Sequence, residues 1–307
     1  MFKKTAIFLG LIFLFSCSSK PQGLRLEETP YTYPVKTFSF QSHNIAYIDE
    51  GHGLPLIFIH GLSTTLESFA PLFPIFIKAG YRVIALDLLG YGKSAKPDLS
   101  YNLELYPSLL TELCGVLKIS RPVLIGHSMG AAIAQLAALK NPDFYSALVL
   151  YTPGGMEPID PGITLRLMQE YDEGTGKRFS LPEVAAGYYK NMAHIWSDSL
   201  EQFLKYRQLQ MLHPEWPRFY AIIKQNTASL LNLSSYLVQN QPSLKLPVLA
   251  LFAQHDPVII KRFVERHLFK DSQWQLEELP GVGHMFQMEN PEVVSQSTLK
   301  FLKKISY

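Results

Sequence analysis

From about residue 35 onward, short apolar runs alternate with longer segments in which apolar residues recur at helical spacing. That rhythm predicts buried strands joined by helices, and so a mostly parallel sheet covered on both faces. The strand-like runs are Leu56-Ile57-Phe58-Ile59, Tyr81 to Leu86, Pro122-Val123-Leu124-Ile125, Ala147 to Tyr151, Pro247 to Phe252 and Trp274 to Leu279. Continuous apolar runs of this kind suit strands buried on both faces. Phe38 to Phe40 and Ile45 to Ile48 read as a starting hairpin, with His43-Asn44 at its turn. Helices are expected over Leu103 to Leu117, over the Ala-rich Ala131 to Leu139, and over Pro291 to Phe301. Gly80 reads as a helix C-cap.

Between residues 155 and 243 the alternation stops. Amphipathic helical patterns take over, rich in large apolar side chains such as Leu167, Met168, Tyr188, Trp196 and Trp216. The expected organisation is therefore an α/β core from residues 35–154 and 244–307, with a helical cap at 155–243 inserted after the sixth strand. Such an insertion lies over the C-terminal edge of the sheet, where sheets of this type bind ligands. Most of the cap aromatics are expected to pack it onto the core and a minority to line a pocket.

Composition narrows the function classes. In a chain of 307 residues, 47% hydrophobic and 18% charged, there is ample material for one large core with an insertion. The formal net charge is +2, and basic residues cluster only in pairs such as Lys3-Lys4 and Lys303-Lys304, which argues against a nucleic-acid partner. Lys3 and Lys4 precede an apolar stretch from Thr5 to Phe15 that is short for a membrane span, so residues 1–16 read as a signal peptide. Leu14-Phe15-Ser16-Cys17 resembles the lipobox of bacterial lipoproteins, departing from it at Phe15, where a smaller residue is usual. The resemblance implies lipidation of Cys17, a tether over residues 17–34, and a protein held on a membrane outside the cytoplasm, in the bacterial cell envelope. An ordinary signal peptide and an uncleaved anchor are the competing readings. The other cysteine, Cys114, sits in an apolar helical pattern and is expected as a lone buried thiol, which leaves Cys17 without a disulfide partner.

The chemistry concentrates on Gly126-His127-Ser128-Met129-Gly130, which lies between a strand and an Ala-rich helix. A sharp strand-to-helix turn strains the central serine, and side chains at 126 or 130 would collide with nearby backbone. A serine nucleophile needs a base, and the base needs an orienting carboxylate. His284, in the loop Gly281-Val282-Gly283-His284 after the last strand, is the favoured base, and His255 is its rival. Asp256 follows the strand ending at Phe252, so the order Ser128, Asp256, His284 matches that of a nucleophile-elbow hydrolase. Asp87 also follows a strand but precedes the serine, and it is expected to brace its own loop. Oxyanion donors are expected from the backbone N–H groups of Met129 and of Leu62 in His60-Gly61-Leu62-Ser63, with His60 as a brace.

Five pieces occur in order: His60-Gly61, Asp87-x-x-Gly90-x-Gly92-x-Ser94, Gly126-x-Ser128-x-Gly130, Asp256 and Gly283-His284. With them the chain resembles the α/β-hydrolase family, in its capped serine-hydrolase, esterase- and lipase-like subgroup. Ala253-Gln254 departs from the pattern before Asp256, where glycine is commoner. The resemblance implies hydrolysis of a small apolar ester, acyl or aromatic, through an acyl-enzyme, without metal or organic cofactor. A carbon–carbon bond hydrolase, an aminopeptidase or an acyltransferase could use the same triad, and a non-catalytic binding lipoprotein could keep the fold. Ser128 itself argues against the dehalogenases and epoxide hydrolases of this family, which carry Asp at that position.

Overall fold

The structure, a computed structural model, describes residues 23–158, 162, 181–267 and 273–305. The expected signal peptide (residues 1–16), Cys17 and the cap residues Leu167 and Met168 lie outside the described residues. Among those described, no helix is long and apolar enough to cross a membrane.

Eight strands form one sheet: β1 (Lys36–Phe40), β2 (His43–Gly51), β3 (Pro55–Ile59), β4 (Arg82–Leu86), β5 (Val123–His127), β6 (Ala147–Tyr151), β7 (Val248–Ala253) and β8 (Trp274–Leu279). Their order is β1-β2-β4-β3-β5-β6-β7-β8; β2 runs antiparallel to both of its neighbours, β1 and β4, and every other pair is parallel. Helices α1 (Phe73–Lys78), α2 (Tyr106–Val116), α3 (Met129–Lys140), α7 (Lys261–Val264), α8 (Phe286–Glu289) and α9 (Pro291–Ile305) belong to this core. Between β6 and β7 stand the cap helices α4 (Pro182–Met192), α5 (Asp198–Met211) and α6 (Trp216–Asn240).

The continuous apolar runs are explained by the two cores. Along β3, Leu56 and Phe58 pack into one cluster and Ile57 and Ile59 into the other. Side chains on a strand alternate between faces, so a strand covered on both sides needs an apolar residue at every position. The cap follows helical periodicity. Along α6, Trp216, Phe219, Ile222, Ile223, Asn226 and Leu237 are buried at helical spacing. Ser197 starts α5 by accepting the Leu200 N–H at 3.2 Å.

One local expectation is corrected. The first hairpin turns at Gln41-Ser42, with φ of 48° and 66°, and not at His43-Asn44, which pair with Phe40 and Ser39. A two-residue hairpin needs left-handed backbone at both turn positions, which usually selects Asn or Gly. Here burial wins over turn propensity, because this register sets buried Phe38 opposite buried Ile45. The helix expected from Leu103 also opens differently, as a 3₁₀ turn over Leu103–Leu105 that leads into α2. Cys114 is buried in α2, and burial pushes its thiol pKa up to about 12.

Candidate active site

Ser128 stands between β5 and α3 with φ 52° and ψ −114°, a conformation that costs a non-glycine residue energy. Backbone bonds hold it there. Its N–H donates to Tyr151 O at 2.9 Å, and its carbonyl accepts from Gly154 N at 3.1 Å and Ala131 N at 3.0 Å. The two glycines of the motif permit the crossing: a Cβ at Gly126 would overlap Gly130 O, and one at Gly130 would overlap Ile59 O.

Asp256 and His284 meet directly. His284 Nδ1 lies 2.7 Å from Asp256 Oδ2, and both side chains are buried. The other carboxylate oxygen accepts the N–H groups of Val258 at 2.7 Å and Ile259 at 2.9 Å, which fixes the carboxylate plane. His255, the rival base, instead stacks on His194 of the cap with ring centroids 3.8 Å apart. Asp87 braces a loop. Its oxygens accept from Leu66 N at 2.9 Å, Lys93 N at 2.7 Å and the Tyr31 hydroxyl at 2.7 Å. Burial nonetheless raises its carboxyl pKa.

Ser128, His284 and Leu62 line one cavity of about 390 Å³, together with residues of all three cap helices. The Met129 N–H is the first of α3, one of the four that a helix leaves without an internal acceptor. The direction of the Leu62 N–H is set from behind. It shares a peptide with Gly61 O, which accepts from Thr64 Oγ1 at 2.9 Å and Thr64 N at 3.3 Å and lies 2.8 Å from His60 Nδ1. In a trans peptide the N–H points opposite the C=O, so anchoring Gly61 O aims the Leu62 N–H the other way. His60 Nε2 accepts the Leu88 N–H at 3.1 Å, so Nδ1 carries the proton and donates to Gly61 O. Burial lowers the His60 pKa to about 4 and keeps the ring neutral.

Three further residues shape the site, and sequence reasoning missed their roles. Glu289 is buried and gathers four N–H groups: Gly283 at 2.9 Å, Met285 at 3.1 Å, His194 at 2.9 Å and Ile195 at 3.0 Å. The first two flank His284, and the last two belong to the cap. His127 donates Nε2–H to the His284 carbonyl at 2.9 Å, which leaves Nδ1 the unprotonated nitrogen, buried and without a partner among the described residues. Burial holds its pKa down, to about 3. Arg207 of α5 donates from Nη2 to Ser63 O, next to Leu62, while the Ser63 hydroxyl lies 2.8 Å from the Tyr189 hydroxyl of α4. Glu289 begins the visible segment Glu289-Asn290-Pro291, but nothing local says where its carboxylate points.

The sequence profile of the alpha/beta hydrolase family matches residues 56–297, and the chain belongs to that family. A component of the acetoin cleaving system of Pseudomonas putida, a dihydrolipoyllysine-residue acetyltransferase, is 28% identical over 252 residues, which is 82% of this chain and 64% of that protein. The chain thus spans less than two thirds of that relative's length. A rice protein named "Probable esterase D14L" (Oryza sativa subsp. japonica) is 24% identical over 282 residues, 86% of this chain and 96% of that one. Among solved structures, a thermophilic esterase of Thermogutta terrifontis superposes with a TM-score of 0.70 at 24% identity, covering 88% of this chain and 97% of the other. The fold is the α/β-hydrolase fold.

Proposed function

We propose that this protein is a serine esterase that cleaves a carboxylic ester through an acyl-enzyme intermediate. The observation that carries the reading is the buried 2.7 Å contact of His284 Nδ1 with Asp256, at a cavity whose wall holds Ser128 on a strained turn. With Nδ1–H donated to Asp256, the His284 Nε2 lone pair is the base available to a serine. Ser128 Oγ adds to the ester carbonyl carbon as its proton passes to Nε2. The carbonyl oxygen gains negative charge and is received by the N–H groups of Leu62 and Met129. Collapse breaks the bond to the alcohol oxygen, which takes the proton from His284 as it leaves. Water, deprotonated by the same nitrogen, then attacks the acyl group and frees Ser128.

A relative matched over nearly its whole length carries a probable-esterase name, which supports an ester as the substrate class. The test is hydrolysis of p-nitrophenyl esters of increasing chain length by the purified protein. Turnover is expected in the wild type, with Ser128→Ala reducing kcat by at least about 10⁴-fold. Absence of turnover in the wild type, or its survival in Ser128→Ala, would overturn the assignment. The same reading includes attachment to a membrane through a lipid on Cys17, tested by fatty-acid labelling of wild type and Cys17→Ala.

A further inference from the structure

The N-terminal segment meets the cap before it meets the core. Gly23 lies against the turn between α5 and α6, where a Cβ on it would overlap His213 N and Leu212 C. The Leu24 N–H donates to Leu209 O at 3.0 Å, and Arg25 pairs with Glu215 of the same turn at 3.7 Å. Only further on does the Thr32 N–H reach Glu67 of the core, at 3.0 Å. Cys17 stands six residues before Gly23, and a chain of that length reaches at most about 22 Å. A lipid on Cys17 would therefore enter a bilayer beside the cap.

An exposed apolar strip leads from that turn to the mouth of the active-site cavity. Leu212, next to Gly23, is 47% exposed. In the last turn of α5, Gln208 Nε2 donates to Pro182 O at 3.4 Å, so the start of α4 lies alongside. Leu181, Val184 and Tyr188 are exposed there. Val184 and Tyr188 stand one turn apart, and the buried Ala185, Tyr189 and Met192 occupy the adjoining arc of the helix. The apolar arc of α4 is thus wider than the surface its own fold covers. Tyr188 also lines the cavity that holds Ser128. Among the described lining residues only Tyr188, Val258 and Glu157 are exposed, and they mark the mouth. Ile260, just beyond Val258, is exposed as well. From Leu181 to Tyr188 is about 10 Å at helical rise, so the root of the tether and the mouth share one side of the cap. The ion pairs Arg25–Glu215 and Lys261–Glu265 stand at the two ends of the strip, so charge lies at its edges and not along its centre. That layout suits a face that enters the headgroup layer of a membrane.

We propose that this face of the cap, from Leu212 along α4 to the mouth at Tyr188 and Val258, docks on a phospholipid bilayer, and that the ester reaching Ser128 is one dissolved in that bilayer. Stable attachment to a membrane takes two signals, and a lipid on Cys17 with an apolar face beside it supplies both. Docked in this way, the mouth opens on lipid, and an apolar ester enters the cavity without crossing water. Docking rests on the reading of Cys17 as lipidated for what brings the protein to the bilayer, and on the esterase reading for its turnover arm.

Two measurements on the full chain, mixed with vesicles of phosphatidylcholine and phosphatidylglycerol, test it. In the first, a polarity-sensitive fluorophore is attached through Val184→Cys, through Leu212→Cys and, as a control, through Val116→Cys, an exposed position on α2 of the core. Cys114 is buried with its thiol pKa pushed up to about 12 and does not compete for the label, and wild type carried through the same labelling reports any free thiol at Cys17. A blue shift and quenching by spin-labelled lipid are expected at 184 and 212 and not at 116. If 184 and 212 are quenched no more than 116, because the face stays in water or because a second copy of the chain covers it, docking is refuted. In the second, the triple variant Leu181→Ser, Val184→Ser, Leu212→Ser, whose positions lie outside the cavity wall, is compared with wild type on two esters. Turnover of p-nitrophenyl acetate in the surrounding water should be unchanged, while that of p-nitrophenyl palmitate dissolved in the vesicles should fall by about tenfold, because three apolar side chains no longer enter the bilayer. Equal losses on both esters, or no loss on either, would overturn delivery from the bilayer. If wild type takes the label at Cys17 and yet 184 and 212 are quenched, the lipidation reading fails and docking stands. If neither ester turns over while 184 and 212 are quenched, the esterase reading fails and docking stands.

Discussion

The sheet edge that carries Ser128 and the cap that covers it solve opposite problems. At the sheet edge the N–H and the carbonyl of the serine itself are both hydrogen-bonded, and the chain crossing leaves no room for one extra carbon at Gly126 or Gly130. In the cap, Gly187 of α4 has open space where a Cβ would stand, and Arg207 keeps two buried nitrogens unpaired. The first region is over-determined and the second is under-filled. The contrast separates the geometry of the chemistry, which allows little variation, from the selection of what is processed, which the cap can change without disturbing the serine.

Four effects would break or sharpen that contrast. The largest effect is expected at the acid: Asp256→Asn should lower kcat by about 10⁴-fold through the wrong imidazole tautomer, with little change in melting temperature. Asp87→Asn should do the reverse, losing about 1–3 kcal/mol of stability because three donors lose a charged acceptor. Equal kinetic losses in the two variants would erase the distinction between them. Next, Gly130→Ala should cost at least about 3 kcal/mol in urea unfolding, since its Cβ meets backbone carbonyls that cannot swing aside.

The third effect is electrostatic. His60 and His127 are neutral in the folded protein, with pKa values lowered from 6.5 to about 4 and about 3 by burial. Below pH 6.5 the unfolded chain binds a proton at each position that the folded chain does not, so stability rises with pH across this window. Each histidine should cost up to about 1.4 kcal/mol for each pH unit of acidification between pH 6.5 and its folded value. His127→Gln keeps a donor for the His284 carbonyl and should flatten the slope of stability against pH by about one proton. An unchanged slope would mean that the ring is not held neutral. The smallest effect belongs to the cap: Gly187→Ala should stabilise the protein by about 0.5–1 kcal/mol, as expected for an open glycine inside a helix.

These regions also differ in how far they can be read from the chain. The strands of the core are legible because burial on both faces demands unbroken apolar runs, as in β3, β5 and β6. The Ser128 turn is legible because its steric needs are local: two glycines, a strand before and a helix after. Asp256 and His284 are 28 residues apart, yet each lies just beyond a strand end, so the topology brings them together and strand order alone suffices to pair them. The hairpin turn misleads because Asn44 carries a turn preference that the register of Phe38 against Ile45 overrides. Arg207 and Glu289 stay hidden for another reason. Their partners come from segments 144 and up to 95 residues away, and no periodicity encodes such a meeting.

Glu289 sets a limit on modular exchange. One carboxylate draws two N–H groups from the loop holding His284 and two from the loop between α4 and α5. A cap transplanted from another hydrolase would have to present two amide protons at that point or leave half of a buried charge unsatisfied. The junction behaves as a shared keystone, and recombination of this scaffold has to carry the segment 193–195 with the body of the enzyme, not with the lid.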